Sequence, residues 1–186
     1  MAPATSRAEA PTGDDPPCIR DAVTAHDLAL ARGLFEEYAA WLKVDLCFQG
    51  FAQELATLPG AYAPPEGRLL LAGTPGRAFG CIALRPLDAR DGAATLSATG
   101  EVKRLYVQPA HRGEGWGERL VAALVEQARI IGYRELKLDT LAWMEAARHL
   151  YASFGFRDCA PYYVNPLPGV VYMAAPVSQS SRADER

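Results

Sequence analysis

With 186 residues, 49% of them hydrophobic and 22% charged, the chain has the size and composition of one globular domain. A net charge of -3 excludes a nucleic-acid binder working through a basic face, and no apolar run reaches membrane-spanning length. Four scattered cysteines without a CxxC pair, and three histidines without ligand spacing, predict reduced thiols in a cytoplasmic protein and no metal site.

Residues 1–17 are rich in Ala, Pro, Thr and Asp and lack the apolar core of a signal peptide, so they read as a flexible leader. Cys18 to Val23 forms a short strand. From Thr24 the pattern turns helical, with Leu30, Leu34, Tyr38 and Trp41/Leu42 on one stripe and Thr24 or Asp27 as the N-cap. The segment 44–50 breaks this helix, and Phe51 to Leu58 forms a shorter one before Pro59-Gly60. Pro64-Pro65 confines 61–67 to a loop. RLLLA (68–72) and AFGCIAL (78–84) form a hairpin around Gly73-Thr74-Pro75-Gly76, and 85–94 is a loop. After a central strand at 99–107 and a helix to Ile131, ELKLD (135–139) is a further strand. Asp139-Thr140 then offers caps for a helix carrying Trp143, Ala147, Leu150 and Phe154, which ends at Gly155. Strands at 156–159 and 170–174 flank a loop of aromatics and prolines, and 177–186 is a polar tail. This order gives an α/β domain over 18–176 with a mixed sheet.

The chain is organised around Glu101 to Gly132, where a strand ends at Val107, Pro109 stops the ladder and glycines 113, 115 and 117 precede a helix. Unpartnered amides at the helix start and the helix dipole favour an anion there, with Arg112 able to add a charge-assisted fork. Neither the Walker loop nor the GxGxxG dinucleotide fingerprint matches, because Gly117 is followed by Glu118 and the glycines run GxGxG.

Arg112, Gly115 and Gly117, preceded by Leu105-Tyr106-Val107-Gln108-Pro109, resemble the acyl-CoA-binding motif of the GNAT superfamily of N-acetyltransferases. Downstream, Ala147, Leu150, Tyr151, Gly155 and Phe156 are similar to the segment closing the GNAT core, with Met144 where many relatives carry an Asn that bonds CoA. The resemblance implies a three-layer fold with helices on both faces of a mostly antiparallel sheet, and a bulged central strand splayed from 135–139. Acetyl-CoA would lie in that opening, its pantetheine arm on the backbone around Leu105, Tyr106 and Val107. Its pyrophosphate would lie on Gly113, Glu114, Gly115, Trp116 and Gly117, beside Arg112.

The resemblance further implies acetyl transfer to a primary amine by direct attack, with Tyr151 as the acid that protonates the leaving thiolate. Glu101 is the candidate base, or else a salt-bridge partner of Lys103 or Arg104. On a regular strand Arg104 and Tyr106 would face away from Lys103 and Leu105, although a bulge would shift this. Trp116 packs helix on sheet, and Cys159 is a core thiol rather than a nucleophile. Asp45, Phe48, Gln49, Tyr162, Tyr163 and Asn165 come from loops flanking the acceptor mouth. The alternative to an enzyme is a non-catalytic acyl-CoA-binding module. A homodimer through exposed late strands is compatible with either reading.

Overall fold

A computed structural model describes residues 15–44, 50–87 and 98–178. Most of the leader, the acceptor-mouth residues Asp45, Phe48 and Gln49, most of the 85–94 loop and most of the tail lie outside the described residues. The elements run β1 (Cys18–Asp21), α1 (Ala25–Leu42), α2 (Phe51–Thr57), β2 (Arg68–Thr74), β3 (Arg77–Pro86), β4 (Thr99–Val107), α3 (Trp116–Ile131), β5 (Glu135–Leu141), α4 (Glu145–Ser153), β6 (Arg157–Asp158) and β7 (Val170–Pro176). The sheet order is β1-β2-β3-β4-β5-β7-β6, with β4–β5 its parallel pair and the other pairs antiparallel.

Local chemistry sets the start of α1 and the end of α3. Thr24 caps α1 in a capping box: Asp27 N–H donates to the Thr24 hydroxyl at 3.0 Å, and the Thr24 amide donates back to the Asp27 carboxylate at 3.3 Å. Gly132, at φ 101°, closes α3. One face of the sheet carries Leu71, Cys81, Ala83 and Tyr106, packed under Leu34 and Phe35 of α1. The opposite face packs Ile82, Leu84, Leu136 and Leu138 against Leu120 and Leu124 of α3. Each fully buried leucine in this layer stabilises the fold by roughly 1.5–3 kcal/mol.

Helix α4 starts later than its candidate caps suggest. Asp139 and Thr140 remain in β5, paired with Tyr172 and Val171, because the β7 ladder continues to Leu141–Val170. Helix α4 therefore begins at Glu145 with Met144 at its N-cap, and Trp143 lies before the helix, 55% exposed, rather than on its packed face. The hairpin strands also extend beyond their apolar runs, to Thr74 and from Arg77, leaving Pro75-Gly76 as the turn.

Two features of β4 create the site. Its pairing with β5 covers only Thr99–Glu135, Gly100–Leu136 and Glu101–Lys137, after which the two strands diverge. The register with β3 passes from Ala83–Lys103 to Cys81–Tyr106, so β4 holds one extra residue there. Arg104 takes that irregular position at φ 58°, and its carbonyl accepts from the Cys81 thiol at 3.3 Å. The bulge turns Arg104 toward α2 and Tyr106 toward α1, while Leu105 packs on the α3 face. Arg104 thus shares the face of Lys103 instead of opposing it.

Candidate active site

The glycine loop is built from three glycines with two different purposes. Gly113 (φ 83°) and Gly115 (φ 81°) hold left-handed backbone conformations that L side chains rarely adopt. Gly115 is also the N-cap of α3, with no side chain capping the helix, so the first amides point toward the loop. Gly117 lies inside the helix, where a Cβ would stand 3.3 Å from Leu150 Cδ2, so its role is close approach of α3 and α4.

Replacing Gly115 by Ala is expected to raise the dissociation constant for acetyl-CoA about tenfold. The left-handed residue would cost roughly 1–2 kcal/mol, and relaxing it tilts the first amides. Because open space surrounds Gly115, the unliganded fold should survive. Calorimetric titration beside a melting curve checks both parts.

A groove of about 650 Å³ runs along the open half of β4. Leu105, Tyr106 and Val107 line one wall, Gly113, Gly115, Trp116 and Gly117 one end, and Trp143, Met144, Ala147 and Leu150 the facing side. All three tryptophans of the chain line it, so its occupancy is expected to change the intrinsic fluorescence. Trp116 is 8% exposed and meets Phe79 edge to face at 5.0 Å, the helix-on-sheet packing expected of it. Arg112 lines the groove, donates from Nε to the Val107 carbonyl at 2.9 Å, and lies over Trp41 at 4.7 Å. Glu114 stands apart. Its carboxylate accepts from Trp116 Nε1 at 3.1 Å, and Glu114 does not line the groove.

Past Leu105, Met144 and Ala147 the groove meets a chamber of about 50 Å³ between the diverging strands. Tyr151 forms part of its wall, with its ring packed on Phe156 at 5.6 Å. Burial, with Tyr38 and Asp139 nearby, pushes the Tyr151 phenol well above its ordinary range, so it holds its proton at neutral pH. Tyr38, a second phenol in the chamber wall, is pushed up to about 12 by burial.

A buried charge network lies behind and beside this chamber. Arg104 grips Glu54 through two hydrogen bonds of 2.8 and 2.5 Å, and the Tyr62 hydroxyl donates to the same carboxylate at 2.8 Å. Lys103 Nζ stands 2.8 Å from Asp139 and 3.5 Å from Glu101. Burial alone would raise the Asp139 carboxyl, but the Lys103 charge and hydrogen bonds from Lys103 and Tyr163 outweigh it and hold the group low.

The structure puts Glu101 in the network rather than in the chamber. It is fully buried, paired with Arg85 at 2.6 Å and Lys103 at 3.5 Å, and accepts from the Tyr162 hydroxyl at 3.1 Å. It lines neither cavity. The salt-bridge alternative is thus present with Lys103, though Arg104 is committed elsewhere. Tyr162, Tyr163 and Asn165 do cover this face, with Asn165 donating to Asp139 at 3.2 Å. Cys159 is partly exposed and lines neither cavity. Sequence reasoning did not mark Asp139, Tyr38 or Trp41 for the site. The one signal was a carboxylate at the end of a strand, which equally suits a helix cap.

The family model of the GNAT acetyltransferases matches residues 31–156. An uncharacterised N-acetyltransferase of Schizosaccharomyces pombe is 40% identical over 154 residues, covering 82% of this chain and 90% of the relative. An IAA acetyltransferase of Azospirillum brasilense is 34% identical over 116 residues, covering 62% of this chain and 71% of its own. An acyl-CoA N-acyltransferase structure from Klebsiella pneumoniae has a TM-score of 0.61 at 29% identity, covering 88% of this chain and 97% of that one. An acetyltransferase structure from Salmonella typhimurium, solved with its cofactor acetyl-CoA, has a TM-score of 0.66 at 22% identity and shares the fold over 92% of this chain and 100% of its own. The chain therefore belongs to the GNAT acetyltransferase family, and acetyl-CoA is its cosubstrate.

Proposed function

We propose that the chain transfers the acetyl group of acetyl-CoA to a primary amine by direct attack within a ternary complex, with Tyr151 as the general acid. The observation that carries this reading is the adjacency of the two cavities: groove and chamber share Leu105, Met144 and Ala147 in their linings, and Tyr151 walls the chamber. A thioester reaching those shared residues would have a protonated phenol at hand for the departing sulfur. The diverging backbone at Leu105 and Val107 would bond the pantetheine arm and supply an amide to the developing oxyanion. The loop at Gly113, Gly115 and Gly117, with Arg112 and the backbone of Glu114 and Trp116, would hold the pyrophosphate.

Glu101 keeps an indirect part in this reading. Its carboxylate fixes Lys103 at the chamber wall, and through Tyr162 it is linked to the segment covering the acceptor side. Glu101 lines neither cavity, so proton removal from the ammonium through it would need a relay by water or by Tyr162, which donates to it.

Thermal unfolding with and without acetyl-CoA, repeated for Arg112→Glu, tests the binding half. Ligand at about a hundred times its dissociation constant should add roughly 2.7 kcal/mol, a gain the charge reversal removes. No shift at millimolar acetyl-CoA would overturn the assignment of the groove.

A further inference from the structure

The chamber's lining divides by chemistry. On its polar side stand Lys103, Arg104 and Asp139. Arg104 is committed to Glu54, and Lys103 is shared between Asp139 and Glu101. Glu54 and Glu101 stand behind these cations and do not line the chamber, so among the described residues Asp139 is the carboxylate that does. On the other side Leu42 and Leu141 are buried in a small cluster with Tyr38, Met144 and Leu167 packed on it. These five residues also line the chamber.

Resting on the ternary-complex reading above, we infer that Asp139 receives the acceptor's ammonium group, and that the acceptor is a primary amine whose body next to the nitrogen is apolar and uncharged. An ammonium leaving water needs an acceptor oxygen in exchange. An ionised carboxylate offers about four lone-pair sites, and Lys103, Asn165 and Tyr163 donate to Asp139, leaving a place for one more donor. The amine's stem would then meet the leucine side of the chamber. A carboxylate beside the nitrogen has no comparable partner. Both chamber cations are already engaged, so its desolvation would go uncompensated.

The test measures initial rates with acetyl-CoA and two probes of the same body, 3-methylbutylamine and L-leucine, which differ by the carboxylate. It includes the Asp139→Asn protein and follows acetyl-CoA affinity by tryptophan fluorescence. The expected result is a kcat/KM for 3-methylbutylamine at least a hundredfold above that for L-leucine. In Asp139→Asn its KM should rise tenfold or more, with kcat within threefold and acetyl-CoA affinity unchanged. Should that variant fail to fold, Asp139→Glu moves the carboxylate by one methylene and should raise the amine KM alone. Equal or better use of L-leucine, or no acetylation of either probe by protein that binds acetyl-CoA, overturns the acceptor class. An unchanged amine KM in both variants overturns the role of Asp139. Failure of the unsubstituted protein to bind acetyl-CoA would instead strike the underlying reading.

Discussion

Tyr151→Phe is expected to lower kcat by two to three orders of magnitude while leaving the dissociation constant of acetyl-CoA within a factor of about three. The reason is that the substitution removes one hydroxyl group and little else. The ring keeps its contact with Phe156 and its place in the chamber wall, so the packing stays. On the mechanism proposed above, what is lost is the donor for the departing thiolate, an effect of about 10²–10⁴-fold for a placed general acid, or roughly 3–5 kcal/mol of barrier. Because burial raises this phenol above its ordinary range, it remains protonated across neutral and mildly alkaline pH. The unsubstituted enzyme should therefore show no loss of kcat up to about pH 10 from this group. Tyr38→Phe is the matched control, since it deletes the other phenol of the chamber, and a small effect is expected there. Steady-state rates with fluorescence titration separate the outcomes. If turnover and affinity fall together in Tyr151→Phe, or if Tyr38→Phe has the larger effect, the acid assignment is wrong.

Glu54→Gln should be the most destabilising of these substitutions, by about 3–5 kcal/mol, the usual cost of removing one partner of a buried ion pair. Arg104 has only 3% of its side chain exposed, and Glu54 receives both of its hydrogen bonds. Without the carboxylate, a guanidinium stays buried and uncompensated. For a domain of this size the loss is roughly 6–20 °C in Tm. The pH dependence follows from the direction of the shift. Burial would raise the Glu54 carboxyl, yet hydrogen bonds and charge from Arg104 and a bond from Tyr62 bring it below its ordinary value. Its folded pKa lies under its unfolded one, so its contribution is complete above about pH 5 and fades as pH falls through the unfolded and then the folded value. The penalty of Glu54→Gln should accordingly be largest at neutral pH and shrink in acid. Chemical denaturation at several pH values checks this. A penalty independent of pH would show that the pair contributes through shape alone.

That pair also links stability to the site. A non-glycine residue in the left-handed region is held at some cost, about 1–2 kcal/mol, and Arg104 takes that position in the bulge of β4. Its bond to α2 offsets the cost and keeps the bulge where β4 turns away from β5.

What the sequence determined by itself is what neighbours along the chain decide. The capping box at Thr24 and Asp27, the glycine cap at 132, the left-handed glycines 113 and 115 and the proline after Val107 all act over a few bonds, so their residue types announce them. The order of strand, glycine loop and helix, and the Leu150-Tyr151 and Gly155-Phe156 match, were legible for that reason, and with them the family and its cosubstrate. Only the tertiary structure decided the chamber. Lys103 meets Asp139 across 36 positions, Arg104 meets Glu54 across 50, and Tyr162 meets Glu101 across 61. Asp139 read as a helix cap because a short polar residue after an alternating strand suits either use. It stayed in the strand because β7, distant in sequence, extends the ladder to Leu141. A buried charge is placed by whichever opposite charge the fold carries to it, and no local pattern encodes that partner.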